Sequence, residues 1–404
     1  MKRYNLLNFS LAMINPVLGF FSALLSLLKG RDASVFFAFS VALICIYFPI
    51  MYDTSSNFYL SYNAAQYTGG FHDWSRPYVA LPAFLMNKFH IDYYYFIFFN
   101  IFFVLYTWAK IVHNSFIENP RNLSNILIIL IVLLFTFNYR DLMDINRNIF
   151  AYSFIFYYFF LIEKKSTLKF LFFSLLAVWI HNSSLIIILV YLLSFKTIGF
   201  RFNYILIIFS LMAGLLLPSF INKFQQVLNS IPVFGTAINY YIYGDDFGVQ
   251  EFNTGTLLKK ILNCFFVFVV SFFAINLIKK NPNDRMLQFL ILLGCIELFF
   301  LSFVTFFERI NLAFNFLYIY LLKYCFNFKV KAIITFLIFI RSCAVYFLIY
   351  FPIFFGNYND VMIDTYQKNS MLVKPFFYFS PWLIDIHNNG YSDDFVHKNS
   401  IWGK

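Results

Sequence analysis

Charge is scarce in this chain: only 12% of its 404 residues are Asp, Glu, Lys or Arg. A soluble domain carries about twice that fraction, so a water-soluble fold is excluded. Cysteine is rare and never sits in a polar loop, because Cys45, Cys264, Cys295, Cys325 and Cys343 all fall inside apolar stretches. Neither a disulfide nor a thiolate metal site is expected. Lys2 and Arg3 precede an apolar stretch, but no small-residue cleavage site follows it and Pro16 and Gly19 interrupt it. The segment is expected to be retained, as a first span or a broken hairpin. No internal repeat is visible, which disfavours a transporter built from related halves.

What the chain has is apolar length. It is 61% hydrophobic, with a mean hydropathy of +0.71, and apolar runs recur from end to end. This predicts an all-α, polytopic integral membrane protein of about 11–12 transmembrane helices. The spans fall at 34–52, 91–109, 123–138, 148–162, 168–180, 183–195, 202–217, 257–278, 286–304, 309–322 and 332–352. One set of connecting loops holds fifteen basic and four acidic residues, and the other, with the tail, holds twelve basic and fourteen acidic. Basic loops stay in the cytoplasm, so the whole-chain charge of +11 reflects topology rather than nucleic-acid binding. Lys2, Arg3, Lys29 and Arg31 resist this scheme, since a single span between them would separate the pairs. Two outward loops are large, at 53–90 and 218–256, the second beginning at Pro218. Residues 1–352 are expected to form a single transmembrane domain and 353–404 an outward tail, in which Phe376 to Ile386 can lie on the membrane surface. The 61 Phe and 29 Tyr are read mainly as lipid-facing bulk.

Some polar residues break the pattern. Arg140 and Arg147 sit on the acidic side, in Asn138-Tyr-Arg-Asp-Leu-Met-Asp-Ile-Asn-Arg-Asn. With a helix starting at Asp144, then Asp144, Arg147 and Ala151 share one face. A guanidinium entering the membrane from outside suits a diphosphate, whose oxygens accept its paired donors; the competing reading is an Arg–Asp pair that anchors a helix end. His181 lies in a polar His181-Asn182-Ser183-Ser184 stretch between apolar arms flanked by lysines at both ends. That predicts a broken-helix hairpin near 168–195, against the alternative of one long tilted helix. A lone membrane His is either a protonatable group facing substrate or a hydrogen bonder between helices.

The first outward loop contains Phe71-His72-Asp73-Trp74-Ser75-Arg76-Pro77. Trp74 can stack on a sugar face while His72, Asp73 and Arg76 bind hydroxyls; an ordinary turn before Pro77 is the other reading. Asp245 and Asp246 after Gly244 read as a turn. The first loop has no Asp-x-Asp, so no metal and no cofactor is expected. Glu297 and Arg341, single ionisable groups in mid-span, are expected to pair, as structural glue or as part of a lipid-phosphate path.

The block Arg147, Ala151, Glu163-Lys164-Lys165, Ala177, His181 and Ser183 resembles the central region of the EpsG-type, Wzy-like polymerases of bacterial surface polysaccharides. Arg309, at the start of a later span, also fits. The resemblance implies a metal-independent glycosyltransferase of the bacterial inner membrane, with its active site facing the periplasm or exterior. It would join undecaprenyl-diphosphate-linked oligosaccharide repeat units, moving the growing glycan onto the non-reducing end of a new unit. Under that reading Arg147, Arg140, Arg309 and Arg76 hold the diphosphate. His181 is the first choice of base, with Asp73, Asp141 and Asp144 as alternatives, and His72 and Trp74 meet the glycan. The implied partners are the lipid-linked oligosaccharide, membrane lipids and a chain-length regulator, with no nucleic acid. The alternatives are an O-antigen ligase, a single-sugar transferase or an acyltransferase of the same glycans, and a lipid-linked oligosaccharide flippase.

Overall fold

A computed structural model describes residues 3–48, 77–116, 123–144, 146–223, 254–324, 328–351, 373–390 and 392. The helices, in chain order, are α1 (Arg3–Ile14), α2 (Pro16–Leu28), α3 (Ser34–Cys45), α4 (Pro77–Lys88), α5 (Tyr94–Phe116), α6 (Leu123–Phe135), α7 (Tyr139–Asp144), α8 (Asn146–Leu161) and α9 (Thr167–Ile180). They continue with α10 (Ser184–Leu193), α11 (Phe200–Lys223), α12 (Thr254–Ile278), α13 (Arg285–Phe299), α14 (Val304–Tyr324), α15 (Phe328–Val345), α16 (Ser380–Ile384) and α17 (Ile386–Asn389). Among the described residues there is no strand, and each expected span contains a helix. The chain is therefore an all-α polytopic membrane protein. Four segments, at Tyr94–Phe116, Phe200–Ile221, Leu257–Ile278 and Phe328–Leu348, are long and apolar enough to cross a bilayer by length and composition. The shorter apolar helices, of 10–14 residues, reach only about 15–21 Å, short of a hydrocarbon core about 30 Å thick.

The residues fall into two compact units, Met1–Ser184 with Tyr350–Lys404, and Leu185–Ile349. In the first, α1 and α2 form an antiparallel hairpin. Asn15 makes its tip by capping α2 through Val17 and Leu18, with Pro16 in the first helical position. Asn8 on α1 accepts from Ser22 at 2.6 Å and donates to Ser26 at 3.1 Å on α2, and the Arg31 guanidinium lies 5.3 Å over the Tyr4 ring. The start of α1 and the end of α2 are thus at the same end, so the basic residues around 2–3 and 29–31 need not lie on opposite sides. Gly30, with φ of 72°, closes α2: its N–H donates to Leu27 and that of Arg31 to Ser26, both at 2.9 Å.

α3 packs on α2 and α5, α5 on α8, and α8 on α9. Lys110 of α5 pairs with Asp32 at the end that carries Arg31. Burial raises the Asp32 carboxyl, but hydrogen bonds from Lys110 and Ser34 outweigh it and hold the group below its ordinary range. The C-terminal segment docks at the opposite end. Asn15 donates to the carbonyls of Pro375, Phe376 and Tyr378 at 3.0–3.2 Å, Tyr47 donates to Leu383 at 2.8 Å, and His387 contacts Asp92 at 2.9 Å. This segment belongs to the first unit, with Phe376, Phe377, Phe379 and Trp382 exposed on it.

In the second unit α12 packs against α11, α13, α14 and α15. Two buried amides, Asn203 of α11 and Gln288 of α13, bond reciprocally at 3.1 and 3.2 Å. Asp284 caps α13 through Met286 and Leu287 and accepts from Tyr320 of α14. The span expected to end at 217 runs through Pro218 to Lys223, so the second large loop begins later than its proline suggested.

A Cβ at Gly214 of α11 would collide with the backbone carbonyls of Leu298 and Phe299, whereas one at Gly199 would meet nothing. Helices in a bilayer approach closely through such small residues. Gly214→Leu is expected to destabilise the protein by about 1–3 kcal/mol, as overpacking does, seen as a lower aggregation temperature in detergent. Gly199→Ala is the control and should leave that temperature unchanged.

Candidate active site

The helix does break at His181. Ser166 starts α9 by accepting from the Lys169 N–H, and His181 ends it with φ of −155° and ψ of 125°. One uninterrupted helix over 167–193 is excluded, and α10 begins at Ser184. α9 packs on α8 and α4 in the first unit, while α10 from Leu185 belongs to the second unit, where Tyr191 meets Phe289.

The break supplies polar groups that the helix would have hidden. Ser183 sits two residues beyond His181, so its N–H donates to His181 Nδ1 at 3.1 Å and its Oγ lies 2.7 Å from the same nitrogen. The Tyr152 hydroxyl is 2.7 Å from Ser183 Oγ, and Asn148 Oδ1 is 3.5 Å from it. Tyr152 and Asn148 are both buried on α8, one turn apart on the same face. Ala151 and Ala177 are fully buried on α8 and α9. Their small size lets these helices close up.

Arg147 lies next to Asn148, half-buried in the first turn of α8. Three residues further along α8, the Phe150 ring lies 5.8 Å from that of Tyr78 of α4. Tyr78 accepts from Asn100 of α5 at 2.5 Å and meets Trp179 edge-on at 5.9 Å, two residues before His181. The start of α8, which carries Arg147, is therefore connected to the break at His181 through Phe150, Tyr78 and Trp179 on one side and Asn148 and Ser183 on the other. Tyr78 also packs on Phe96 at the start of α5, near Asp92, so Arg147 is at the end of the unit where the C-terminal segment docks. The Glu163-Lys164-Lys165 turn follows at the far end of α8.

Other expected site residues are placed differently. Asp144 is the last residue of α7, and Arg147 shares α8 with Ala151; the residue between the two helices, 145, lies outside the described residues. The side chains of Arg140, Asp141 and Asp144, and all of His72, Asp73, Trp74 and Arg76, lie outside the described residues, as do Asp245 and Asp246. Arg309 is on α14 in the second unit, a turn and a half inside the helix rather than at its end. Its neighbour Glu308 pairs with Lys259 of α12 at 2.9 Å. Tyr152, Asn148, Tyr78 and Asn100 were not singled out from sequence. Among 29 tyrosines the one signal was the position of Tyr152, four residues after Asn148 on the helix that carries Arg147.

Glu297 and Arg341 join one buried cluster without a direct ion pair among the described contacts. Asn311 donates to Glu297 Oε1 at 2.6 Å, Asn315 to Asn311 at 3.3 Å, and Arg341 to Asn315 at 2.9 Å. The guanidinium also lies 4.5 Å over the Phe266 ring, and Arg341 is only 5% exposed. Two asparagines thus carry the interaction between opposite charges, which favours structural glue. Among the described residues no group of three or more His, Cys, Asp or Glu is placed to hold a metal.

Residues 78–361, more than half of the chain, match the EpsG family. The chain belongs to that family. No curated protein and no solved structure matches it. EpsG membership makes it a membrane-embedded protein of glycosyl-polymerase type. The matched stretch spans the seam from Tyr78 to Ser183, so the EpsG region contains the whole Arg147–His181 cluster.

Glu297→Gln and Arg341→Met are each expected to destabilise this EpsG protein by about 3–5 kcal/mol, because each removes one of the two opposite charges that this buried cluster holds. The double variant should recover most of that loss in a thermal-shift assay in detergent. Additive losses would mean that the asparagine relay does not couple the two groups.

Proposed function

We propose that this protein polymerises oligosaccharide repeat units carried on undecaprenyl diphosphate, at the outer face of a bacterial inner membrane. The observation that supports the reading is that, in a chain of the EpsG family, the start of α8, which carries Arg147, meets the helix break at His181 through Asn148 and Ser183. In the reaction, the bond between C1 of the growing glycan and its diphosphate oxygen breaks. A hydroxyl at the non-reducing end of the incoming unit forms the new C1–O bond and loses its proton, and undecaprenyl diphosphate leaves. The leaving group gathers negative charge as that bond stretches, so a fixed guanidinium is worth most in the transition state. Arg147 has the position for this, and Arg140, Arg76 and Arg309 are further cations for the carrier. His72 and Trp74 are proposed to meet the glycan, with Asp73, Asp141 and Asp144 as the carboxylates available to take the proton.

The orientation rests on charge. The end of the first unit that bears Arg31, Asp32 and Lys110 carries the basic loops and is assigned to the cytoplasm. The Arg147 end and the C-terminal segment then face outward, where a chain-length regulator would also act.

The test is the surface glycan of a strain lacking the gene. Loss of polymerisation leaves a single repeat unit on the acceptor, whereas a ligase defect leaves none and a modifying-enzyme defect leaves long chains intact. Arg147→Ala and His181→Ala should each give the single-unit pattern while the protein still inserts in the membrane. Normal chain lengths in both variants would remove the site from the reaction.

A further inference from the structure

We infer that residues 374–389 form a re-entrant loop that dips into the bilayer leaflet opposite the Arg31 end of the first unit. Phe376, Phe377, Phe379 and Trp382 then lie in hydrocarbon, and lipid is what covers this aromatic face. The polymerase reading plays no part in this assignment.

The backbone of the segment is served by side chains. Asn15 donates to the carbonyls of Pro375, Phe376 and Tyr378, Tyr47 to that of Leu383, and Asn389 to that of Trp382 at 2.9 Å. Lys374 donates to the carbonyl of Asn389, and the Ile386 N–H donates to the Tyr95 hydroxyl at 3.3 Å. Water would serve the carbonyls of an exposed loop without such donors. Irregular backbone at membrane depth is tolerated only where protein satisfies it.

Helix lengths set the depth. Lys110 and Asp32 are paired, so α3 and α5 share a level at the Arg31 end. From Lys110 to Asp92, just before α5, is about 27 Å, close to the full hydrocarbon thickness of about 30 Å. α3, of 12 residues, rises only about 18 Å before Tyr47. α1 and α2, of 12 and 13 residues, reach about 18–20 Å before they meet at Asn15. The hairpin tip therefore stops about 10 Å below the far boundary. The middle of the segment sits on that tip, where Ser380 donates to the carbonyl of Ala12. Its two ends are at the boundary, since His387 contacts Asp92 and Lys374 is tied to Asn389.

The exposed surface divides in the same way. Phe376, Phe377, Phe379 and Trp382 are 56–78% exposed, and Ile14 and Leu18 on either side of Asn15 are exposed with them. Past Ile386 the exposed side chains are His387 and Asn388. Aromatic and aliphatic side chains facing lipid, with polar ones at the water boundary, are what an outer leaflet selects.

The test is nitroxide labelling of the full-length protein in lipid nanodiscs. Its five cysteines are replaced by alanine, and Phe377→Cys, Phe379→Cys and Asn388→Cys each carry one label. Labels at 377 and 379 should be more accessible to oxygen than to a water-soluble nickel chelate, at about 5–10 Å below the headgroups. The label at 388 should show the reverse. Asn15→Asp keeps the oxygen that caps α2 and loses the amide donor, so it should raise the nickel accessibility at 377. Nickel accessibility at 377 equal to that at 388 overturns the inference. Protection of 377 and 379 from both reagents overturns it too, because protein would then cover the face. Trp382→Phe in the otherwise native chain gives a second reading that needs no cysteine replacement. It should remove part of the tryptophan emission that lipids brominated in mid-chain quench; removal of an iodide-quenched part instead overturns the inference.

Discussion

Every polar group that this chain takes below the membrane surface has to find its partner inside the protein, because hydrocarbon offers none. That constraint explains where the polar residues are. Asn15 at the tip of the α1–α2 hairpin caps α2 with its oxygen and holds the C-terminal segment with its nitrogen. Asn203 and Gln288 satisfy each other. Glu297 and Arg341 are bridged by two asparagines. In each case a side chain with both donor and acceptor character joins helices that apolar contacts alone would leave free to slide.

The candidate site follows the same rule with a different outcome. In the amide pair and the asparagine relay the donors and acceptors are spent on the protein, and the result is rigidity. Around His181 the break in the helix brings the N–H and hydroxyl of Ser183 onto one nitrogen of the ring. Arg147 is only half-buried at the first turn of α8, and its neighbour Asn148 reaches toward the same serine. Polar groups organised from one side are what a site for an anionic, sugar-bearing lipid requires, since binding energy is useful only where the donors are already in place.

The fold was legible because hydropathy and helix length are one-dimensional signals. Helix existence followed from apolar runs, and the break at His181 followed from four polar residues between two apolar arms. The α1–α2 hairpin was legible as one of two readings, from the interruption at Pro16 and from four basic residues that no single span could place on one side. Pairing of α1 with α2 resolves it, and that pairing depends on contacts of Asn8 with Ser22 and Ser26, which no local pattern announces. Arg147 and His181 stood out because charge and imidazole are rare in such a chain. Tyr152 and Tyr78 did not, because a tyrosine that orders a histidine has the same local signature as one that faces lipid.

The spacing Ala-x-x-x-His-x-Ser now has a physical account, residue by residue. Ala177 is fully buried on α9, so a larger side chain there would have to displace its neighbours. His181 is four residues on, its N–H still donating to the Ala177 carbonyl at 2.9 Å, so the helix fixes the backbone of the histidine although the chain turns extended at that residue. Ser183 lies at the one offset that lets its own N–H and hydroxyl both reach back to Nδ1. Alanine at 183 would keep the first of those bonds and lose the second, together with the link to Tyr152. The serine is thus the point where the backbone of the break, the imidazole and the neighbouring helix meet.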